Sequence, residues 1–124
     1  MKKIINTKNA PAAIGPYGQA VQLDDFLFAS GQLPINPVSG IIEATTIEEQ
    51  AKQVLENVKA ILEESGMYLD DVIKTTCFLS NMDNFAAFNQ VYGEYFTNTP
   101  ARSCVAVLEI PKGALCEVEI IAHK

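Results

Sequence analysis

The stretch T-I-E-E-Q-A-K-Q-V-L-E-N-V-K-A-I-L-E-E-S-G at 46–66 reads as a helix, and V-I-K-T-T-C-F-L-S at 72–80 reads as a strand. Thr46 and Glu49 form a capping box: the hydroxyl satisfies a free amide at the helix start, and Glu49 can reach back to the cap amide. Apolar residues recur at Ile47, Ala51, Val54, Leu55, Val58, Ile61 and Leu62, which is one face of a helix. Gly66 closes it. Residues 72–80 are β-branched and aromatic, a composition that suits a pleated, half-buried strand. An amphipathic helix leading directly into a strand predicts helices packed on a sheet.

Working outward from this pair, a short strand at Lys3–Asn6 precedes an irregular loop, Ala10 to Gly18 (A-P-A-A-I-G-P-Y-G), with two Pro and two Gly. Residues 18–23 and 26–31 form a hairpin across Asp24-Asp25. Leu33 to Gly40 is a second loop. A second helix starts near Asp83, with Phe85, Phe88, Tyr92 and Phe96 on its apolar face. Strands follow at 102–109 and 115–122, joined by the turn Ile110-Pro111-Lys112-Gly113. The order is β-β-β-α-β-α-β-β: an α+β sandwich of one domain, residues 1–124, with two helices against one face of a mixed sheet.

Period-two alternation divides the strands between two faces. Cys116, Val118, Ile120 and Ala122 suit the helices, as do Ile73, Cys77 and Leu79, and Ser103, Val105 and Val107. The opposite face takes Leu115, Glu117, Glu119 and Ile121, with Val72, Lys74, Thr76 and Phe78, and Arg102, Cys104, Ala106 and Leu108. This second face is too apolar for water and too charged for a core, the composition of a subunit interface. If 102–109 and 115–122 pair as an antiparallel hairpin, Arg102 and Glu117 share that face several residues apart, with room for a ligand or a neighbouring subunit between them.

The 124 residues carry a net charge of −6 and 48 % hydrophobic residues. Such a balance disfavours nucleic acid, whose binding needs clustered Lys and Arg, and an anionic membrane surface. Met1 to Asn6 begins like a basic leader, but its apolar stretch stops after two residues, and no run approaches a membrane span. Cys77, Cys104 and Cys116 show no C-x-x-C spacing, which suits reduced thiols in a cytoplasmic setting and neither a disulfide framework nor a zinc site. The only His is His123, next to the end, so neither a Ser-His-Asp nor a Cys-His machine is expected, nor a metal. No phosphate-cradling glycine pattern occurs, and no cofactor is implied.

Arg102 is the only arginine, and a guanidinium binds a carboxylate with two parallel hydrogen bonds, better than Lys can. Spacing alone favours structural or solvated ion-pair roles for Arg102 and Glu117 over a site, since strand charges are more often solvated or paired than catalytic. Tyr17 places an aromatic hydroxyl on the loop between Pro16 and Gly18. Ser30-Gly31 ends a strand, where Gly lets the backbone approach a ligand. Asn89 reads as a polar helix residue, and Cys104 as a small half-buried hydrophobe without an evident activator.

A-P-A-A-I-G-P-Y-G at 10–18, S-G-Q-L-P at 30–34, N-P at 36–37, Q-x-x-x-x-L-x-N-V-K-A-I-L at 50–62, V-x-K-T-T at 72–76, F-x-x-x-N-x-V-Y at 85–92, P-A-R-S-C-V at 100–105 and E-V-E at 117–119 together resemble the RidA/YjgF family of reactive-intermediate deaminases. The resemblance covers the whole chain. It implies a chorismate-mutase-like fold and a homotrimer with clefts between subunits. It also implies hydrolysis of enamine/imine intermediates such as 2-aminoacrylate and 2-aminocrotonate to 2-keto acids and ammonia. On matching positions, Arg102 would hold the substrate carboxylate, and Tyr17, Ser30, Gly31 and Asn89 would line the cleft. The main chain near Cys104, with Glu117, would position the hydrolytic water. Competing expectations are a non-turnover sensor of 2-keto acids in the same cleft, a holdase-like chaperone or a ribonuclease, and, lowest, a chorismate mutase, whose dicarboxylate substrate demands more cations than one Arg.

Overall fold

A computed structural model describes all residues, 1–124. Six strands form one mixed sheet: β1 (Lys2–Ile5), β2 (Ala20–Leu23), β3 (Phe26–Ala29), β4 (Val72–Leu79), β5 (Ala101–Ala106) and β6 (Cys116–His123). Helices α1 (Ile47–Glu64) and α2 (Phe85–Tyr95) cover one face. No helix is long and apolar enough to cross a membrane.

Helix α1 forms as its sequence demands. The Glu49 amide donates to the Thr46 hydroxyl at 3.2 Å, while the Glu49 carboxylate accepts from that same hydroxyl at 3.0 Å. The reciprocal arm of the expected capping box therefore goes to the side chain and not to the cap amide. At the other end Gly66 has φ 72°, with Met67 N–H donating to Leu62 and Gly66 N–H to Glu63, a Schellman closure. The buried stripe of α1 is the one read from its spacing, with two amides added, Gln50 and Asn57. Both hold loops. The Asn57 amide donates to the Leu33 and Ile35 carbonyls, each at 3.0 Å, and Gln50 bridges the Ala44 carbonyl and the Leu115 amide.

The strand order is β1-β2-β3-β6-β4-β5, and this overturns one expectation. β5 and β6 are not a hairpin. β5 pairs parallel with β4 at the sheet edge, completing a β4-α2-β5 crossover, whereas β6 runs antiparallel between β3 and β4. β5 also ends at Ala106, short of the expected 109, and the chain turns through Pro111–Gly113 with Lys112 at φ 62°. A short link between two strands fits a hairpin, but nothing local records that β6 must fill the gap left in the sheet's centre.

The faces of β5 are consequently reversed from the expectation. In the parallel register Arg102, Cys104 and Ala106 stand beside Thr75, Cys77 and Leu79, and those three β4 residues are buried under the helices. Arg102 and Cys104 are thus on the helix face, and Ser103 and Val105 on the open one. A register shift between Val72 and Lys74 also swaps the start of β4, burying Val72 and exposing Ile73. The faces of β6 are as expected: Cys116, Val118, Ile120 and Ala122 are buried. The open face exposes Ile4, Leu23, Phe26, Phe28 and Val105 around Lys74 and Glu119, the mixed composition anticipated.

Candidate functional site

The chemistry-bearing residues fall into two groups on opposite faces of the sheet. The first lines a cavity of about 410 Å³ that includes Tyr17, Ser30, Gly31, Gln32, Lys112 and Glu117. Buried Gln19 shapes its wall. The Gln19 carbonyl oxygen accepts from the Thr7 amide at 2.7 Å, and its NH₂ donates to the Thr7 and Pro11 carbonyls at 3.0 and 2.8 Å. This tethers the Pro-Gly loop that carries Tyr17, whose hydroxyl accepts from the Ile14 amide at 3.4 Å. The Ser30 hydroxyl donates to the Gly18 carbonyl at 2.7 Å and fixes the end of β3 against the same loop.

Glu117 rises from β6 into this cavity, directly against Gly31. A Cβ built on Gly31 would overlap the Glu117 carboxylate. Gly31 is thus required for space, not for a left-handed backbone. Burial raises the Glu117 carboxyl above the ordinary range, and the like charge of Glu119 adds to this. A carboxyl held nearer neutrality is suited to taking and returning a proton.

The second group gathers on the helix face around Arg102. One guanidinium nitrogen, Nη1, donates to the Asn89 side-chain oxygen at 2.6 Å. The guanidinium carbon lies 4.7 Å from the centre of the Tyr92 ring and 5.6 Å from that of Phe85. No carboxylate of the chain pairs with Arg102: the one ion pair joins the N-terminus to Asp24. Of five guanidinium N–H donors, one is used within the chain. Cys104 lies in register with Cys77, and burial raises both thiols, Cys77 to about 12. Such thiols pack well and ionise poorly.

The structure therefore gathers Tyr17, Ser30, Gly31 and Glu117 in one place, and Arg102, Asn89 and Cys104 in another. Within one chain it does not bring Arg102 to Glu117, because the reversed face of β5 puts the sheet between them. Gln19, Phe85 and Tyr92 were not read as site residues. For the two aromatics the signal was present, since Phe85, Asn89 and Tyr92 are spaced i, i+4 and i+7 and so share a helix face.

A model of the family described as Endoribonuclease L-PSP matches residues 7–124. The chain belongs to this family, RidA/YjgF. Among RidA/YjgF relatives, a RutC family protein of Pyrococcus horikoshii is 52 % identical, over 100 % of this chain and 99 % of its own. A protein of Escherichia coli named 2-iminobutanoate/2-iminopropanoate deaminase is 47 % identical, over 98 % of both. The crystal structure of E. coli TdcF with bound serine superimposes with a TM-score of 0.94 at 44 % identity, over 98 % of both chains. The α+β fold with its six-stranded mixed sheet is the RidA/YjgF fold.

Proposed function

We propose that this chain hydrolyses enamine/imine intermediates of the 2-aminoacrylate and 2-aminocrotonate type to 2-keto acids and ammonia, in clefts between the subunits of a homotrimer. One observation carries the reading. The only arginine holds unspent donors on one face of the sheet, and a carboxyl of raised pKa stands in a cavity on the other. Arg102 lies on β5, an edge strand, and the open face beside Glu117 exposes apolar side chains that need cover. Laying the β5 edge of one copy over the open face of the next covers that surface and completes the site, and a ring of such head-to-tail contacts closes.

In that cleft Arg102 holds the substrate carboxylate through two parallel hydrogen bonds. The enamine tautomerises to an imine, whose carbon is electrophilic without further activation. Glu117 takes a proton from water as the water oxygen bonds to that carbon. Glu117 returns that proton to the nitrogen, the new hydroxyl gives up its own proton to the nitrogen through Glu117 as the C=O bond forms and the C–N bond breaks, and one imine and one water become one 2-keto acid and one ammonia. Tyr17, Ser30, Gly31 and Asn89 shape and brace the cleft, and the main chain near Cys104, with Glu117, positions the hydrolytic water. The name of the E. coli deaminase supports this reaction, and the serine in TdcF supports an amino-acid-like ligand. The name endoribonuclease finds less support here: a net charge of −6 and a single histidine at 123 offer neither a phosphate-neutralising surface nor a histidine pair.

The test is a coupled assay in which a serine or threonine dehydratase generates the enamine and semicarbazide competes for the imine. Wild type is expected to accelerate keto-acid release, and Arg102→Ala to lose about 2–5 kcal/mol of that acceleration, tenfold per 1.4 kcal/mol. Keto-acid release at the uncatalysed rate with wild type would overturn the deaminase reading for these substrates.

A further inference from the structure

Arg102 emerges from an edge strand on a long, flexible stem, yet a carboxylate clamp needs its fork held at one angle. The structure supplies that constraint from a single stripe of α2. Phe85, Asn89 and Tyr92 all meet the guanidinium: the two rings lie 5.6 and 4.7 Å from its carbon, and Asn89 accepts from Nη1 at 2.6 Å. Tyr92 is itself fixed. Its ring is buried, packed 4.8 Å from Phe96 and 5.9 Å from Phe88, and its hydroxyl shares a 2.7 Å hydrogen bond with Thr75. Thr75 is the residue beside Arg102 in the parallel β4–β5 register, so the strand that flanks the arginine also anchors the ring under it.

We propose that Tyr92 is a positioning residue for the reaction: its ring, locked by Thr75, carries the Arg102 guanidinium and aims its free donors at the substrate carboxylate. The inference rests on the reading of Arg102 as that clamp. Ring and amide divide the work. Asn89 fixes the rotation of the fork through one donor, and the negative face of the ring attracts the cation while leaving the remaining donors free. A carboxylate partner in place of the ring would occupy the donors the substrate requires.

Because Arg102 is the only arginine, its side-chain N–H gives one unambiguous signal in ¹H–¹⁵N spectra of the assembled protein. Tyr92→Leu removes the ring, and Tyr92→Phe keeps it without the hydroxyl. In Tyr92→Leu the ring-current shift of the Arg102 Nε–H is expected to fall to the smaller part owed to the more distant Phe85 ring. Binding of 2-oxobutanoate by calorimetry is expected to weaken about tenfold, equivalent to about 1.4 kcal/mol, and KM to rise more than kcat falls. Tyr92→Phe is expected to keep the shift and to bind within about threefold of wild type, the range left for a lost anchoring hydrogen bond. An unchanged Arg102 signal in a folded Tyr92→Leu protein would overturn the proposal. So would a Tyr92→Phe protein as impaired in binding as Tyr92→Leu, which would assign the effect to the hydroxyl. The spectrum and the calorimetry need no turnover, so a protein that lacks deaminase activity but shows the ring-dependent shift and binding loss refutes the reaction and leaves the ring's aiming of Arg102 at a bound carboxylate standing.

Discussion

Replacing Gly31 by Ala adds one carbon atom at the point where the cavity is tightest. The new Cβ would overlap the Glu117 carboxylate oxygen and lie 2.9 Å from its carboxyl carbon and 3.2 Å from its Cγ. The obstacle is the end of a side chain that is half-buried, so the carboxylate can swing away while the backbone stays in place. The stability cost is therefore at the low end of the overpacking range, about 1 kcal/mol, a fall in Tm of about 4 °C for a domain of this size. The catalytic cost is larger. A displacement of roughly 1 Å in a positioned group costs about a hundredfold in rate, and Glu117 must move by at least that to clear the new methyl. The expected result is a folded Gly31→Ala protein whose kcat/KM in the dehydratase-coupled assay drops about a hundredfold. A Gly31→Ala protein with wild-type turnover would refute the reasoning, because it would mean that the position of the Glu117 carboxylate is immaterial.

Glu117→Gln separates activity from stability. Burial raises the carboxyl of the folded protein above its unfolded value, so the folded state bears a penalty that is absent below the unfolded pKa and complete above the folded one. Glu117→Gln is therefore expected to abolish turnover while raising Tm relative to wild type at pH 7, with the gain disappearing at pH 4; a scan at both pH values checks the sign. In wild type, kcat/KM is expected to fall as pH drops through the raised Glu117 pKa, and Glu119→Gln, by removing a like charge, to move that fall to lower pH. Asn57→Ala leaves the Leu33 and Ile35 carbonyls unpaired beneath the cavity loop, at a cost of about 2–3 kcal/mol, read from urea unfolding at unchanged m-value.

The helices and the order of elements were legible because their signals are local. The cap at Thr46, the stripe from Ile47 to Leu62 and the glycine at 66 each act within a turn or two. The pairing of β5 was not legible. Its partner depends on a crossover through α2 and on β6 filling the sheet's centre, and a short link such as Val107–Leu115 is compatible with a hairpin as well. That single error carried Arg102 onto the wrong face, since alternation fixes faces only relative to each other and β5 is weakly patterned: four of its six residues are exposed. The cavity residues Tyr17, Ser30, Gly31 and Glu117 could be named through the family resemblance. Their separation from Arg102 could not, because period-two reasoning contains no information on which side of the sheet an edge strand presents.

The central claim is that the site is divided between neighbouring copies, and mixed assembly tests it most directly. Arg102→Ala and Glu117→Gln chains are each expected to form inactive homotrimers. Unfolded and refolded together at equal amounts, random assembly places an intact Arg102 opposite an intact Glu117 in about one quarter of the head-to-tail clefts. The account predicts recovery of about a quarter of wild-type deaminase activity in the whole refolded population, carried by mixed trimers, shown by native mass spectrometry, that each hold one intact cleft in about three. Mixed trimers with no recovered activity would contradict it, because a site built within one chain cannot be repaired by a neighbour.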